Sequence, residues 1–250
     1  MIVEQKYRIK LSEINRKTEA TNKTILAILE DVGSKHSDIA GYGIMQIPET
    51  HLTWVLLDWK VEILRRPKYG EEIIAKTWSR GAKRYYAFRD FEICDKDGNV
   101  IVKAASKWAL INIEKQKMVT SDDEILENYK TETKKSFDDE LEKMKEPEEF
   151  ENIERYKVKK SDIDINNHMH NVNYLELANE ALPDNLYQNA QFNNFRIMYK
   201  KEIKLGETVL CKYSNVDNKN VITINAITFF FFPSLLVLHA LPIYQSYYSK

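Results

Sequence analysis

Cysteine is nearly missing from this chain of 250 residues: only Cys94 and Cys211 occur, in no C-x-x-C or Cys/His spacing. A disulfide framework or a structural zinc site needs such a pattern, so neither is expected. An excess of one charge is missing too. Lys and Arg number 37 against 38 Asp and Glu, which leaves no overall field to hold a nucleic acid. The first residues, MIVEQKYRIKL, lack the apolar core and small-residue cleavage site of a secretory signal. Secretion is therefore not expected, and a reducing cytoplasm is the expected compartment. No apolar run is long enough to span a bilayer, since the one near the end is broken by Pro233 and Pro242.

What is present divides into segments. Residues 2–14 alternate loosely, with Tyr7 and Ile9, and read as a strand. In EATNKTILAILEDV (19–32), Ile25, Leu26, Ile28, Leu29 and Val32 fall at helical spacing, and Gly33 suits the helix end. Residues 36–50, with Gly41, Gly43 and Pro48, read as irregular chain. Four strand-like runs come next at 51–66, 71–81, 84–95 and 99–114, separated by Pro67 and Gly70, by Gly81, and by the turn DKDG at 95–98. Closely spaced strands after one helix predict an antiparallel sheet wrapped on that helix, an α+β arrangement. Over residues 121–154 Asp, Glu and Lys make up more than half of the chain and Pro147 interrupts it. Such a composition reads as a short solvated helix plus linker, and as a domain boundary.

The second half of the chain repeats the first. YRIKLSEIN at 7–15 aligns without gaps to YKVKKSDID at 156–164, pairing Tyr7 with Tyr156, Ser12 with Ser161 and Ile14 with Ile163, an offset of 149. Further on, RRPKYGEEI at 65–73 answers KEIKLGETV at 201–209, now at an offset of 136. A duplicated helix-and-sheet unit is the expectation.

The densest polar chemistry lies in the second copy, in SDIDINNHMHNVNYLELANEALP (161–183). Asp162, Asp164, Asn166, Asn167, His168, His170 and Asn171 crowd into ten positions before an amphipathic, helix-like run. Turns favour Asp and Asn but rarely add two His. Superposing the copies sets Asp164 on Asn15, Asn166 on Lys17, His168 on Glu19 and Glu202 on Arg66. Residues needed only to fold the unit would recur in both copies, so the difference points to a site used once. His168 and His170 form an H-x-H pair, a weak metal signal without a third ligand, and no metal is expected.

Two stretches resemble the acyl-acyl-carrier-protein thioesterase family, bacterial enzymes of tandem hotdog fold that release free fatty acid. One is S-D-x-D-x-N-x-H-x-x-N-x-x-Y, here Ser161, Asp162, Asp164, Asn166, His168, Asn171 and Tyr174; the other is YKKEI at 199–203, similar to the family's Tyr-basic-basic-Glu-Cys run. The first copy is similar as well, through HLTWVLLDWKVEILRRPKYGEEI and AASKWALIN. The resemblance implies a double hotdog, two long helices each wrapped by an antiparallel β-sheet. Residues 1–130 would form a first, non-catalytic unit that binds the acyl chain. Residues 131–152 would be a charged linker, and 153–250 the catalytic unit, with an atypical tail from about 228. It implies hydrolysis of fatty acyl-acyl carrier protein to free acid and carrier, with Asp164, Asn166, His168 and Glu202 as the catalytic set and no cofactor. The family often has Asn at the position of His170 and Cys at that of Ile203, so a cysteine nucleophile is not available there.

Thioester hydrolysis needs a water or nucleophile, a base with access to it, and donors aimed at the carbonyl oxygen. Amides where the 166–171 loop enters the helix can supply donors. Glu202 is the preferred water-activating base and Asp164 the group that holds Asn166 and His168, with the exchange of those roles left open. Asn171, Tyr174, Trp54 and Trp59 are the candidate substrate contacts, although Tyr174 with Leu175 and Leu177, and each Trp taken alone, read equally as core. An acidic carrier calls for a basic rim, for which Arg65, Arg66 and Lys68, or Arg80, Lys83 and Arg84, are candidates. A monomer or a homodimer fits, because a tandem chain supplies the pairing that single hotdogs obtain by dimerising. The rivals are an acyl-CoA thioesterase, a non-catalytic acyl-binding hotdog protein and, further off, a hydratase. The tail after VITINAI (221–227), with Phe229 to Phe232 ahead of Pro233, shows no recognisable family strand and reads as a substitute strand or a sequence artefact.

Overall fold

The computed structural model describes residues 1–232 apart from 121–122, 140, 142–143, 165–166, 190, 217–218 and 225–226. Strand β1 (Val3–Arg8) leads to helix α1 (Asn22–Ala40), the one-turn helix α2 (Ile47–Thr50), and strands β2 (Leu52–Ile63), β3 (Glu72–Lys83), β4 (Tyr86–Cys94), β5 (Val100–Asn112) and β6 (Lys117–Val119). Helix α3 (Asp123–Tyr129) comes after them. The second half runs β7 (Asn152–Lys157), α4 (Tyr174–Ala181), α5 (Asp184–Asn189), β8 (Asn194–Tyr199), β9 (Thr208–Val216), β10 (Lys219–Ile224) and β11 (Ile227–Phe232). The fold is therefore α+β.

All strands join one antiparallel sheet in the order β1-β3-β4-β5-β2-β8-β11-β10-β9-β7, with β6 beside β5. Read outward from its centre, each half repeats the other, because β2 and β8 meet at the seam and the strand that opens each half lies at the rim. The seam pairs Asp58 with Met198 through Glu62 with Asn194. Arg196 reaches across it to Asp58 in a buried two-pronged ion pair, Nε to Oδ1 at 2.9 Å and Nη2 to Oδ2 at 2.6 Å. A planar guanidinium matches a carboxylate in this way and fixes register as well as charge.

Both offsets read from the sequence recur in the hydrogen bonds. The isolated bridge Ile14–Ala20 has its counterpart in Ile163–Met169, and Glu19–Lys68 in His168–Lys204. The Ala20 amide donates to the Pro67 carbonyl at 2.8 Å, and the Met169 amide donates to the Ile203 carbonyl at 2.8 Å.

Helix α1 presents Ile25, Leu26, Ile28, Leu29 and Val32 to the sheet, all buried. Thr21 caps its start, Oγ1 accepting from the Thr24 amide at 3.0 Å. It does not end at Gly33 but continues to Gly41, whose φ of 83° permits the left-handed cap. The second helix is short. Only α4, eight residues after a single 3-10 turn, sits on the second half of the sheet, so the expectation of two long helices holds for the first alone. Leu182, in extended conformation ahead of Pro183, stops it.

The charged stretch is less solvated than its composition suggests. Ile125 and Tyr129 of α3 are buried against Ala40 and Leu110. Beyond α3 the chain lies on the sheet, with the Trp78 indole donating to the Lys134 carbonyl and the buried Ser136 amide to Asp90. The run of phenylalanines is a strand: β11 pairs with β10 on one side and with β8 on the other. Alternation sends Phe229 and Phe231 into the main core and Phe230 to the opposite face with Met198 and Val221. Among the described residues no helix is long and apolar enough to cross a membrane.

Candidate active site

The polar stretch forms a tight loop between β7 and α4. The Asp164 amide donates to the His168 carbonyl at 2.8 Å, and the His168 amide donates back to Asp164 Oδ1 at 3.2 Å. Asn167 takes the left-handed backbone at the tip, φ 61°, which Asn tolerates better than most residues. Asn166 lies outside the described residues. Pairing of His168 and Met169 with residues 203–204 draws the loop against the chain leaving β8. His168 Nε2 thereby stands 3.0 Å from Glu202 Oε2, with the Glu202 side chain 57% exposed.

The first half carries the same loop without this chemistry. The Asn15 amide donates to the Glu19 carbonyl at 2.8 Å, and Asn15 Oδ1 accepts from the Lys17 and Glu19 amides. The backbone contact of Asp164 is thus part of the fold, which an asparagine serves as well. At the positions of His168 and Glu202 the first half has Glu19 and Arg66. Arg66 is buried and donates to the Ala20 carbonyl, Asn22 and Asn193, a bracing role. What the second half adds is charge at 164 and an imidazole–carboxylate pair.

His170 joins the halves. Its Nε2 lies 3.2 Å from Glu30 Oε2 on α1, and this contact raises the imidazole's pKa. The side chain is 41% exposed, so it is a rim residue. Asn171 opens the turn into α4, and its carbonyl accepts from the Tyr199 hydroxyl at 3.3 Å. Tyr174 is buried, its ring edge-on to Tyr199 at 6.0 Å, yet it also borders the cleft beside His168.

Two cavities meet at this loop. One, about 190 Å³, runs beside α1 in the first half and is bordered by Glu30, Gly33, Trp54, Arg89 and Tyr129 together with Asp164 and Asn171. The other, a more open cleft of about 590 Å³, is bordered by His168, Tyr174, Tyr199, Glu202 and the lysines 200, 201 and 204. Trp54, Asp164 and Asn171 border both. The loop thus places the charged residue at the junction, and Trp54 is fixed there by donating from Nε1 to the Tyr129 hydroxyl at 2.8 Å. Trp59 borders neither cavity; it is a core residue 4.9 Å from Phe91.

The basic residues expected to form a rim are mostly engaged. Arg66 is buried, Arg65 pairs with Glu71, and Arg80 Nε lies 2.8 Å from Asp90. Lys201 and Lys204, exposed at the cleft, are cations not among those expected for the rim. Tyr129 and Arg89 were not expected at the site either, although the two apolar residues at helical spacing in an acidic segment, Ile125 and Tyr129, signal an inward face. Cys211 is buried in the core, and burial pushes its thiol up to about 12, so it offers no thiolate. Among the described residues no cluster of three or more His, Cys, Asp or Glu is placed to hold a metal ion.

Comparison with known proteins identifies the frame around this site. Residues 1–129 match the family model described as the acyl-ACP thioesterase N-terminal domain, and residues 144–228 match that of the C-terminal domain. Among curated proteins, oleoyl-acyl carrier protein thioesterase 1 of Arabidopsis thaliana is 24% identical over 82% of this chain and 61% of its own length. A palmitoyl-acyl carrier protein thioesterase of Cuphea hookeriana is 23% identical over 81% of this chain and 52% of its own. The chain therefore spans only about half to three fifths of the length of these relatives. An acyl-ACP thioesterase from Bacteroides thetaiotaomicron shares the fold with a TM-score of 0.76 at 23% identity, covering 92% of this chain and 97% of that one. A 12:0-ACP thioesterase from Umbellularia californica does so with 0.81 at 17%, covering 92% and 96%.

Proposed function

The chain belongs to the acyl-ACP thioesterase family, and from that premise we propose that it hydrolyses fatty acyl thioesters of acyl carrier protein to the free acid and the carrier thiol. One observation carries the reading: Trp54, Asp164 and Asn171 border both the smaller cavity beside α1 in the first half and the larger cleft of the second. A thioester has just this division, an acyl chain on one side and a long polar arm on the other. The acyl chain lies beside α1, the arm lies in the cleft, and the carbonyl carbon lies between. Lys201 and Lys204 at the cleft suit an acidic carrier.

The placement favours Asp164 as the base over Glu202, because Asp164 is at the junction while Glu202 borders the cleft alone and contacts His168. Asp164 takes a proton from water as its oxygen adds to the carbonyl carbon. The carbonyl oxygen gains charge facing the amides at the head of the α4 turn, with Asn166 as a further amide donor. Such a donor contributes roughly 3 kcal/mol in the transition state. The C–S bond then breaks, and the leaving sulfur takes a proton from His168, which Glu202 holds in place at 3.0 Å. Asp164 finishes protonated and His168 neutral, and exchange with solvent restores both.

The test is free thiol release from carrier and CoA thioesters of graded chain length by wild type, Asn166→Ala, His168→Ala and Glu202→Ala. Each variant should lose about tenfold or more in turnover. Near-normal turnover in all three removes the site assignment, and a wild type that cleaves CoA thioesters but not those of the carrier favours the acyl-CoA reading instead.

A further inference from the structure

Polar side chains are set into the otherwise apolar and aromatic wall of the cavity beside α1. Ser34, Ser37 and Ser79 border it, and so does Arg89, whose side chain comes off β4 at 8% exposure. Nη1 of Arg89 donates to His36 Nδ1 at 2.8 Å and to Thr77 Oγ1 at 3.3 Å. His36 Nε2 lies 3.2 Å from the Tyr129 carbonyl, which can only accept. That contact places the imidazole proton on Nε2 and leaves Nδ1 as a lone pair for the guanidinium. His36 is therefore neutral, and burial with the Arg89 charge lowers its pKa to about 3. Thr77 and the Tyr129 ring, 5.5 Å from the guanidinium carbon, are neutral as well. Glu30 borders the same cavity, but its carboxylate faces His170. Among the described residues no acid forms an ion pair with Arg89; the acids that border the cavity, Glu30 and Asp164, stand at its junction end, so the buried cation has no counter-charge in contact with it. Isolated burial of this kind is costly unless an acceptor arrives to meet it.

The position along α1 says where that acceptor lies. Cδ of Arg89 is 3.8 Å from where a Cβ on Gly33 would stand, and its Nη1 meets His36. Glu30, beside His170, marks the end nearest the junction. Six residues of helix separate Glu30 from His36, roughly 9 Å at the helical rise. The volume of about 190 Å³ holds about six water-sized groups, so a chain that fills it is short.

We propose that Arg89 makes this cavity a site for short acyl chains that carry an acceptor oxygen, above all a carboxylate, at the end far from the thioester. Ser34, Ser37 and Ser79 add hydroxyl donors around that oxygen, and Arg89 becomes the residue that separates oxygen-bearing chains from alkyl chains of equal length. The inference rests on the acyl chain occupying this cavity, and its test reads binding as well as turnover.

Octanoyl and 7-carboxyheptanoyl thioesters of the carrier, eight carbons each, are compared for kcat/KM with wild type, Arg89→Met and Arg89→Lys. Binding of octanoate and of its ω-dicarboxylate counterpart is followed in parallel through Trp54 fluorescence. A charge-assisted hydrogen bond should favour the carboxylate-bearing chain by about tenfold or more in wild type. Arg89→Met should abolish that preference, handling both chains alike, and Arg89→Lys should retain part of it. Equal handling of both chains by wild type, or an equal loss on both in Arg89→Met, overturns the proposal. Because the wild-type comparison needs no variant, a misfolded Arg89→Met leaves the test intact. Absent turnover with a preserved binding preference would sink the thioesterase reading and leave the Arg89 site standing.

Discussion

Replacing Asp164 with asparagine separates what the loop needs for folding from what it needs for chemistry. The carboxylate's Oδ1 accepts the His168 amide at 3.2 Å, and in the first half the Asn15 side chain accepts the Glu19 amide at the same distance. An asparagine already does this work within the same molecule, so Asp164→Asn should melt within about 1 kcal/mol of wild type. Its charge, and its capacity to take a proton, are gone. A positioned general base contributes about two to four orders of magnitude in rate, or about 2.7–5.4 kcal/mol of barrier. Turnover on a carrier thioester should therefore fall by about a hundredfold or more with an unchanged melting curve. The assay is thiol release at saturating substrate beside thermal unfolding of the same sample. A variant that keeps a third or more of wild-type turnover refutes the assignment, leaving Asp164 as a loop brace and Glu202 as the base. A variant that loses stability along with turnover refutes the comparison between the halves.

Other expectations rest on the same geometry. Gly33 sits inside α1 against the cavity, where an added Cβ would meet Phe91 at 3.5 Å, an ordinary contact. Gly33→Ala should raise stability by up to about 1 kcal/mol from helix propensity, while shifting preference toward shorter acyl chains in a chain-length series. The seam depends on the Arg196–Asp58 pair, so Arg196→Met should cost roughly 3–5 kcal/mol in denaturant unfolding by leaving Asp58 buried without its partner. His170 has its pKa raised by Glu30, so its contact contributes stability fully below the unfolded value of about 6.5 and loses it as pH climbs through the folded value. His170→Asn should therefore be less stable than wild type near pH 5 and equal to it near pH 8, by under about 1 kcal/mol given the exposure of the pair.

Much of the fold is legible in the sequence alone. Alternation and turn residues mark β2 to β5, and the two offsets foretell which loops pair. The contact of His168 with Glu202 is not legible there, because the resemblance names both residues without setting one against the other. The length of α1 is hidden because Gly33 resembles a helix end, whereas here it opens space for the cavity. The short α4 is hidden because a chain match fixes where a helix starts and not where Pro183 stops it. Average composition foretells a short helix but conceals the inward face of α3, whose two buried residues are diluted by acids. The four phenylalanines show no polar alternation because β11 is an interior strand between β8 and β10, covered on both faces, and such strands read as continuous apolar runs. Arg89 gives no signal at all, since an arginine in a strand is ordinary until its surroundings are known.

The central claim is that the carbonyl of a carrier-bound acyl chain is cleaved where the two cavities meet. Its most direct test is thiol release with excess acyl-acyl carrier protein, followed together with free fatty acid. Many turnovers per chain are expected, one fatty acid for each thiol freed, with suppression when a bulky residue replaces Asn171 at the junction. Tight binding of the acyl carrier without release of thiol, or turnover indifferent to a blocked junction, would contradict it.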